Sequence, residues 1–187
     1  MSEQLHVMTE AEYLAWEEAQ EYRYEFDGFR PVAMNGGTLG HELIQGNLKA
    51  ALVFGLRGGP CKAFGPTARV PTSQGRYRYP DAVVTCGAFD PATRDVTTPI
   101  TIFEVMSDST MNADRGQKLV EYRAIPSLTR YIMLEQASVM ATVVTRVDDH
   151  WRIDVVRGGE TLDLPEFGLA LSMDAIYDGL DLSATSI

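Results

Sequence analysis

Apolar positions along this chain change period several times, and the changes mark out its elements. Tyr13, Leu14 and Trp16 follow a Thr9–Glu12 capping-box pattern, which predicts a short helix over Thr9–Gln20 that acts as a surface lid or staple. Tyr22, Tyr24 and Phe26 alternate with Arg23 and Glu25. The Asp27-Gly28 pair then signals a turn, and Phe29, Val32 and Met34 resume the alternation, so a β-hairpin is expected. Beyond Gly36-Gly37, the residues Leu39, Leu43, Leu48, Leu52 and Leu56 recur at near-helical spacing and predict the main core helix over Thr38–Leu56.

Short β-like runs follow at Cys61–Phe64, Ala68–Val70, Tyr77–Tyr79 and Ala82–Cys86, punctuated by Gly and Pro. Ile100–Val105 is an almost continuous β-branched strand. A helix over Asp114–Ala124 is ended by Pro126, and strands return at Tyr131–Leu134, Val139–Arg146 and Trp151–Val156. The order implies an α/β (mixed α+β) fold in one domain spanning residues 1–187, with no repeats, linkers or low-complexity tracts. No helix shows a heptad seam.

Composition agrees with a globular chain: of 187 residues, 45% are hydrophobic and 22% charged, enough to bury a core without disulfides. Two cysteines, Cys61 and Cys86, are too few for a disulfide framework or a four-thiolate zinc site, and both are expected as reduced thiols in a cytosolic protein. No apolar run is long enough to cross a bilayer and no export signal is visible, so a soluble cytoplasmic protein without a membrane partner is expected.

The formal net charge of -10 argues against a uniformly basic nucleic-acid coat. The charge is unevenly spread, however. Residues 43–80 hold 6 basic and no acidic side chains: Lys49, Arg57, Lys62, Arg69, Arg76 and Arg78. This stretch is the best sequence candidate for a phosphate-contacting face, although a solvated surface is the ordinary explanation.

Several chemistries can be set aside. His41-Glu42-Leu43-Ile44-Gln45 resembles a zinc-protease helix, but Gln45 stands where the second histidine ligand is required. With only three histidines, a three-histidine metal site has little support. There is no nucleophile elbow, and the Gly36–Gly40 stretch lacks the Lys-Ser/Thr of a phosphate loop.

Carboxylate chemistry remains. Asp81, after Pro80, opens the Ala82–Cys86 strand, and Glu104 lies within the apolar strand Ile100–Val105, where an acid is costly to bury unless paired, protonated or metal-bound. Two such carboxylates suit a hard cation such as Mg²⁺, which keeps several waters and can supply an attacking hydroxide. Asp114, Lys118 and Tyr122, spaced four apart, share one helix face, and a lysine there could orient that water and stabilise developing charge. The plainer alternatives are an exposed Asp114–Lys118 pair and a core Glu104 matched by an arginine.

Together, Tyr24-Glu25-Phe26-Asp27-Gly28, His41, Pro80-Asp81-Ala82-Val83-Val84, Phe103-Glu104-Val105-Met106-Ser107, Asp114-Arg115-Gly116-Gln117-Lys118-Leu119 with Tyr122-Arg123, and Arg130-Tyr131 occur in an order that resembles the bacterial restriction-endonuclease-like proteins of the PD-(D/E)XK superfamily. The resemblance runs from about Thr9 past Arg146. It implies a restriction endonuclease-like core with a central mixed sheet flanked by helices, Asp81 and Glu104 as ligands of Mg²⁺ (or Mn²⁺), and hydrolysis of DNA phosphodiesters. It also implies Lys118 in the place of the superfamily lysine, because Met106 stands where that lysine usually does. Glu25 and His41 match family positions as auxiliary groups beside Tyr122, with a satisfied partly buried polar group as the alternative for each. Asp108 departs from the proline usual after the serine. A homodimer is expected from the same resemblance. The rival readings are a catalytically inactive dimeric binding or regulatory module on the same scaffold, and a hydrolase of small phosphorylated compounds.

Overall fold

A computed structural model describes residues 7–34, 36–72, 75–106 and 114–182, the side chains of Asp114 and Arg115 excepted. The elements are α1 (Glu10–Glu18), β1 (Tyr24–Phe26), β2 (Pro31–Ala33), α2 (Leu39–Gly55), β3 (Cys61–Phe64), β4 (Val70–Pro71), β5 (Tyr77–Arg78), β6 (Ala82–Cys86), β7 (Pro99–Met106), α3 (Asp114–Arg123), β8 (Arg130–Glu135), β9 (Met140–Val147), β10 (His150–Arg157), β11 (Thr161–Leu164), β12 (Leu169–Ser172) and α4 (Met173–Ile176). The expected mixed architecture is present.

The main sheet has the order β10-β9-β8-β7-β6-β3. All its neighbours are antiparallel except β7 and β8, which run parallel and are joined through α3. A parallel pair needs such a crossover, and α3 supplies it. A smaller sheet, β2-β1-β5-β4, carries the hairpin.

Alternation along β7 divides the core. Phe103 and Val105 join Ile44, Leu48 and Leu52 of α2, whereas Ile102 and Met106 join Tyr122, Ile125 and Leu128 from α3 and the turn after it. Both faces are covered, which is why β7 reads as a nearly unbroken apolar run. Each fully buried side chain of the α2 stripe contributes on the order of 1.5–3 kcal/mol.

Local chemistry sets the helix starts. The Thr9 hydroxyl accepts from the Glu12 N–H while the Glu12 carboxylate accepts from the Thr9 N–H, the anticipated capping box. Thr38 caps α2 through the His41 N–H.

Two expectations are corrected. Leu39 and Leu43 do not enter the core: the buried stripe is Ile44, Leu48, Leu52 and Leu56, and Leu39 is 90% exposed. The cysteines are not free thiols: antiparallel pairing sets Cys61 directly opposite Cys86, and the two are disulfide-bonded. Cysteine counting weighs frameworks and metal sites, but a single cross-strand bridge depends on a register that counting does not supply. Further elements follow the last strand expected from sequence, within the described residues. β11, a 3-10 turn at Pro165–Phe167, β12 and α4 deliver Leu162, Leu164, Leu171, Met173 and Ile176 to the α2 side of the core. Gly168 closes that turn at φ 65°, a conformation glycine adopts without the usual side-chain penalty.

No helix among the described residues is long and apolar enough to cross a membrane.

Candidate active site

The β6–β7 register pairs Ala82 with Phe103 and Val83 with Ile102. Asp81 and Glu104 are the residues next beyond the Ala82–Phe103 pair. Asp81 ends the pairing with its side chain: Oδ2 accepts from the Val105 N–H at 2.6 Å. Its Oδ1 accepts from Gln45 Nε2 at 2.6 Å and lies 3.0 Å from His41 Nε2, both on one face of α2. Thr38 donates to Gln136 Oε1, which turns the amide NH₂ of Gln136 toward His41 Nδ1 at 3.3 Å. In the neutral ring this leaves the proton on Nε2, facing Asp81. The Asp81 hydrogen bond raises the His41 pKa, against the opposing effect of burial.

Glu104 shares the α3 side of β7 with Ile102 and Met106. The Tyr122 hydroxyl donates to its Oε1 at 2.9 Å and Lys118 Nζ lies 3.3 Å from the same oxygen, so the i,i+4 pair on α3 converges on one carboxylate. Burial pushes Glu104 up to about 7; Lys118 works against this, while the charges of Asp81 and Glu25 add to it. Burial likewise holds Tyr122 well above its ordinary value, so it remains a hydrogen-bond donor.

Glu25, on β1, completes the group. Its Oε1 lies 3.1 Å from Lys118 Nζ and its Oε2 accepts from Arg78 at 2.9 Å. Arg78 also donates to both oxygens of Glu121, at 2.7 and 2.9 Å, and Arg76 reaches Glu121 at 2.8 Å. Burial alone would raise Glu121, but hydrogen bonds from Arg78, Gln117 and Arg76 hold it below its ordinary value.

All six residues singled out in the sequence (Glu25, His41, Asp81, Glu104, Lys118 and Tyr122) therefore meet in one place, drawn from β1, α2, the start of β6, β7 and α3. Met106 is buried in the apolar cluster beside Tyr122 and Tyr131. A lysine at that position would lose its hydration, and the ammonium arrives from α3 instead. Ser107 and Asp108 lie outside the described residues, as does the Asp114 side chain.

The basic stretch is largely turned inward. Arg69 pairs with Glu17 and Asp95, while Arg76 and Arg78 pair with the acids just described. The expectation of a continuous phosphate-contacting face over residues 43–80 is corrected accordingly, because buried acids on other elements take up three of its six cations. Of the rest, Lys62 donates to the Gly59 carbonyl, Arg57 lies over the Phe54 ring, and burial lowers the pKa of Lys49.

Gln45, Gln136, Arg78 and Glu121 were not recognised as parts of the site from sequence. Gln45 had a visible signal, since it stands four residues after His41 on a helix and shares that residue's face. The other three depend on tertiary pairing.

The residues fit a hard divalent cation. Glu104 carries its hydrogen bonds on Oε1, and neither it nor Asp81 is paired with an arginine among the described residues. No three His, Cys, Asp or Glu side chains among the described residues form a metal cluster. Mg²⁺ can bind through one or two carboxylates and retain waters, which is the donor set that Asp81 and Glu104 would offer.

Comparison with known proteins gives the family and the fold. Residues 10–175 match the family described as "Uma2: Putative restriction endonuclease". The chain is 33% identical over 172 residues to an uncharacterized protein of Synechocystis sp., covering 90% of each chain. It is 29% identical over 159 residues to a second uncharacterized protein of that organism, covering 81% of this chain and 89% of the other. A crystal structure from Anabaena variabilis, titled as a "putative nuclease belonging to DUF820", superposes with a TM-score of 0.72 over 91% of this chain and 97% of that one, at 15% identity.

Proposed function

The chain belongs to the Uma2 family of "putative restriction endonucleases", and on that premise we propose that it is a divalent-cation-dependent nuclease hydrolysing DNA phosphodiesters at the Asp81–Glu104 site. The observation that carries this reading is the Asp81 carboxylate held on the Val105 N–H, next to Glu104 in β7, with the Lys118 ammonium against Glu104.

Asp81 and Glu104 would hold Mg²⁺ or Mn²⁺, which when bound lowers the pKa of a coordinated water and stabilises negative charge on a phosphoryl oxygen. Lys118, fixed between Glu25 and Glu104, presents a positive charge where a phosphorane-like transition state gains it. Glu25 and Tyr122 hold that lysine and Glu104 in place, and Arg78 keeps Glu25 anchored. His41 and Gln45 fix the orientation of Asp81.

Supercoiled plasmid incubated with the protein and Mg²⁺ or Mn²⁺ is expected to be nicked, and to stay intact with EDTA. Nicking unaffected by the chelator would exclude the metal-dependent reading, and no nicking with either ion would favour an inactive scaffold.

The pH dependence of cation binding has a definite sign. Glu104, held up to about 7, must release its proton to bind, so affinity is low below pH 7 and rises through it. Between pH 6 and pH 8 the Mn²⁺ affinity measured by calorimetry should increase about 10-fold, the change in the ionised fraction of one such group. In the cation-free protein the same raised pKa costs stability as pH climbs from the ordinary carboxylate range to about 7, because the unfolded chain gives up this proton first.

A further inference from the structure

The small sheet carries the site outward to the protein surface. β1 pairs Glu25 with Val32 of β2, and on its other side Phe26 pairs with Tyr77 of β5, which puts Arg78 beside Glu25. β4 adds Val70 opposite Arg78. Paired residues share a face, so one row across the sheet reads Val32, Glu25, Arg78, Val70. Val70 is fully buried, Arg78 and Glu25 hold Glu121 and Lys118, and Val32 is 38% exposed. The row runs from core to solvent, and Val32 stands at its open end, next to the acid that faces Lys118.

A second row lies alongside. The Met34 N–H donates to the Arg23 carbonyl, so the ladder continues one pair past Tyr24 and Ala33, and Arg23 and Met34 return to the face of Glu25 and Val32. Arg23 is two residues, roughly 6.6 Å, along the strand from Glu25. Its guanidinium lies over the Tyr79 ring, 5.6 Å from the centroid. Tyr79 is itself fixed, with its N–H directed to Glu25 Oε1 and its hydroxyl donating to Glu17.

Among the described residues no carboxylate pairs with the half-buried Arg23, whereas Arg69, Arg76, Arg78 and Arg94 each have one. The nearby acids are already matched: Glu17 by Tyr79, Arg69 and Arg94, and Glu25 by Arg78 and Lys118. A guanidinium stacked on an aromatic ring keeps its in-plane N–H groups for an acceptor, and its planar fork matches carboxylate or phosphate. An anion from outside the chain suits that fork, and Met34 and Val32 beside it form an apolar lip against which sugar carbons can pack.

We propose that Arg23 binds the phosphate adjacent to the one placed at Asp81, Glu104 and Lys118, so that the site takes an internal linkage of a polynucleotide strand. The proposal rests on the nuclease reading and narrows its substrate: a small phosphorylated compound has no second phosphate for Arg23.

Fluorescence anisotropy of a short fluorescein-labelled DNA duplex in Ca²⁺ reads binding whether or not the protein cleaves. Arg23→Gln should weaken binding roughly 10-fold and reduce the slope of log affinity against log salt by about 1, the share of one phosphate contact. Arg23→Lys should keep the slope and recover part of the affinity, and Arg152→Gln, on the edge strand β10, should change neither. The Mn²⁺ affinity of Arg23→Gln should equal that of the unmodified protein. In turnover, Arg23→Gln should raise KM for plasmid yet leave hydrolysis of bis(p-nitrophenyl) phosphate, a diester without a neighbouring phosphate, at the unmodified rate. A reduced slope in protein that does not nick would support the Arg23 contact while removing the cleavage reading. Unmodified protein that binds no duplex, or Arg23→Gln with unchanged slope and affinity, would overturn the proposal. So would equal slowing of bis(p-nitrophenyl) phosphate hydrolysis, which would put Arg23 at the reacting phosphate itself.

Discussion

Asp81→Asn is expected to lower plasmid nicking by more than the roughly 10–100-fold that loss of an outer-shell partner costs at a metal site, while the protein still folds. The isosteric amide keeps an oxygen that can accept from the Val105 N–H, so the β6–β7 junction is retained. It loses the charge that a hard cation requires, and it sets an NH₂ group near Gln45 and His41, which now donate to a carboxylate. Glu104→Gln should have a similar effect on nicking for the same reason. Calorimetric Mn²⁺ binding separates causes: both variants should lose heat of binding along with activity. Asp81→Asn protein that nicks at the unmodified rate would remove Asp81 from the chemistry.

The second large effect concerns stability. Arg78→Ala leaves Glu25 and Glu121 without their shared partner, both with side chains no more than about a tenth exposed. Breaking a buried pair by removing one member typically costs 3–5 kcal/mol, and the lower part of that range is expected because Arg76 and Gln117 still reach Glu121 and Lys118 still reaches Glu25. For a chain of this size that corresponds to a fall in Tm of about 6–20 °C. The result also tests the inward assignment of the basic stretch. Were Arg78 a phosphate contact, its removal would leave Tm alone and reduce the salt dependence of DNA binding instead.

Much of the architecture was legible because β7, β8 and the inward face of α2 are long periodic segments whose covering on both sides leaves a strong apolar signal. The candidate site was legible for a different reason: an acid inside the Ile100–Val105 run and another after Pro80 are physically expensive unless they serve something. Helical spacing put Lys118 and Tyr122 on one face of α3, and the family resemblance supplied their place beside the acids. What sequence could not give was pairing in space. Nothing in residues 43–80 indicates that Arg69, Arg76 and Arg78 are claimed by Glu17, Glu25, Asp95 and Glu121 on other elements. The Cys61–Cys86 bond depends on the β3–β6 register. The leucines of α2 were assigned to one stripe although they lie on two faces, because leucine spacing of four fits either side and only Ile44 marks which is buried.

The most direct measurement is an anomalous difference map from crystals soaked in Mn²⁺. The expected result is a peak within coordination distance of both Asp81 and Glu104, absent in Asp81→Asn crystals. Crystals of nicking-competent protein that show no peak there, or Mn²⁺ bound only at other carboxylates, would contradict the assignment of the site.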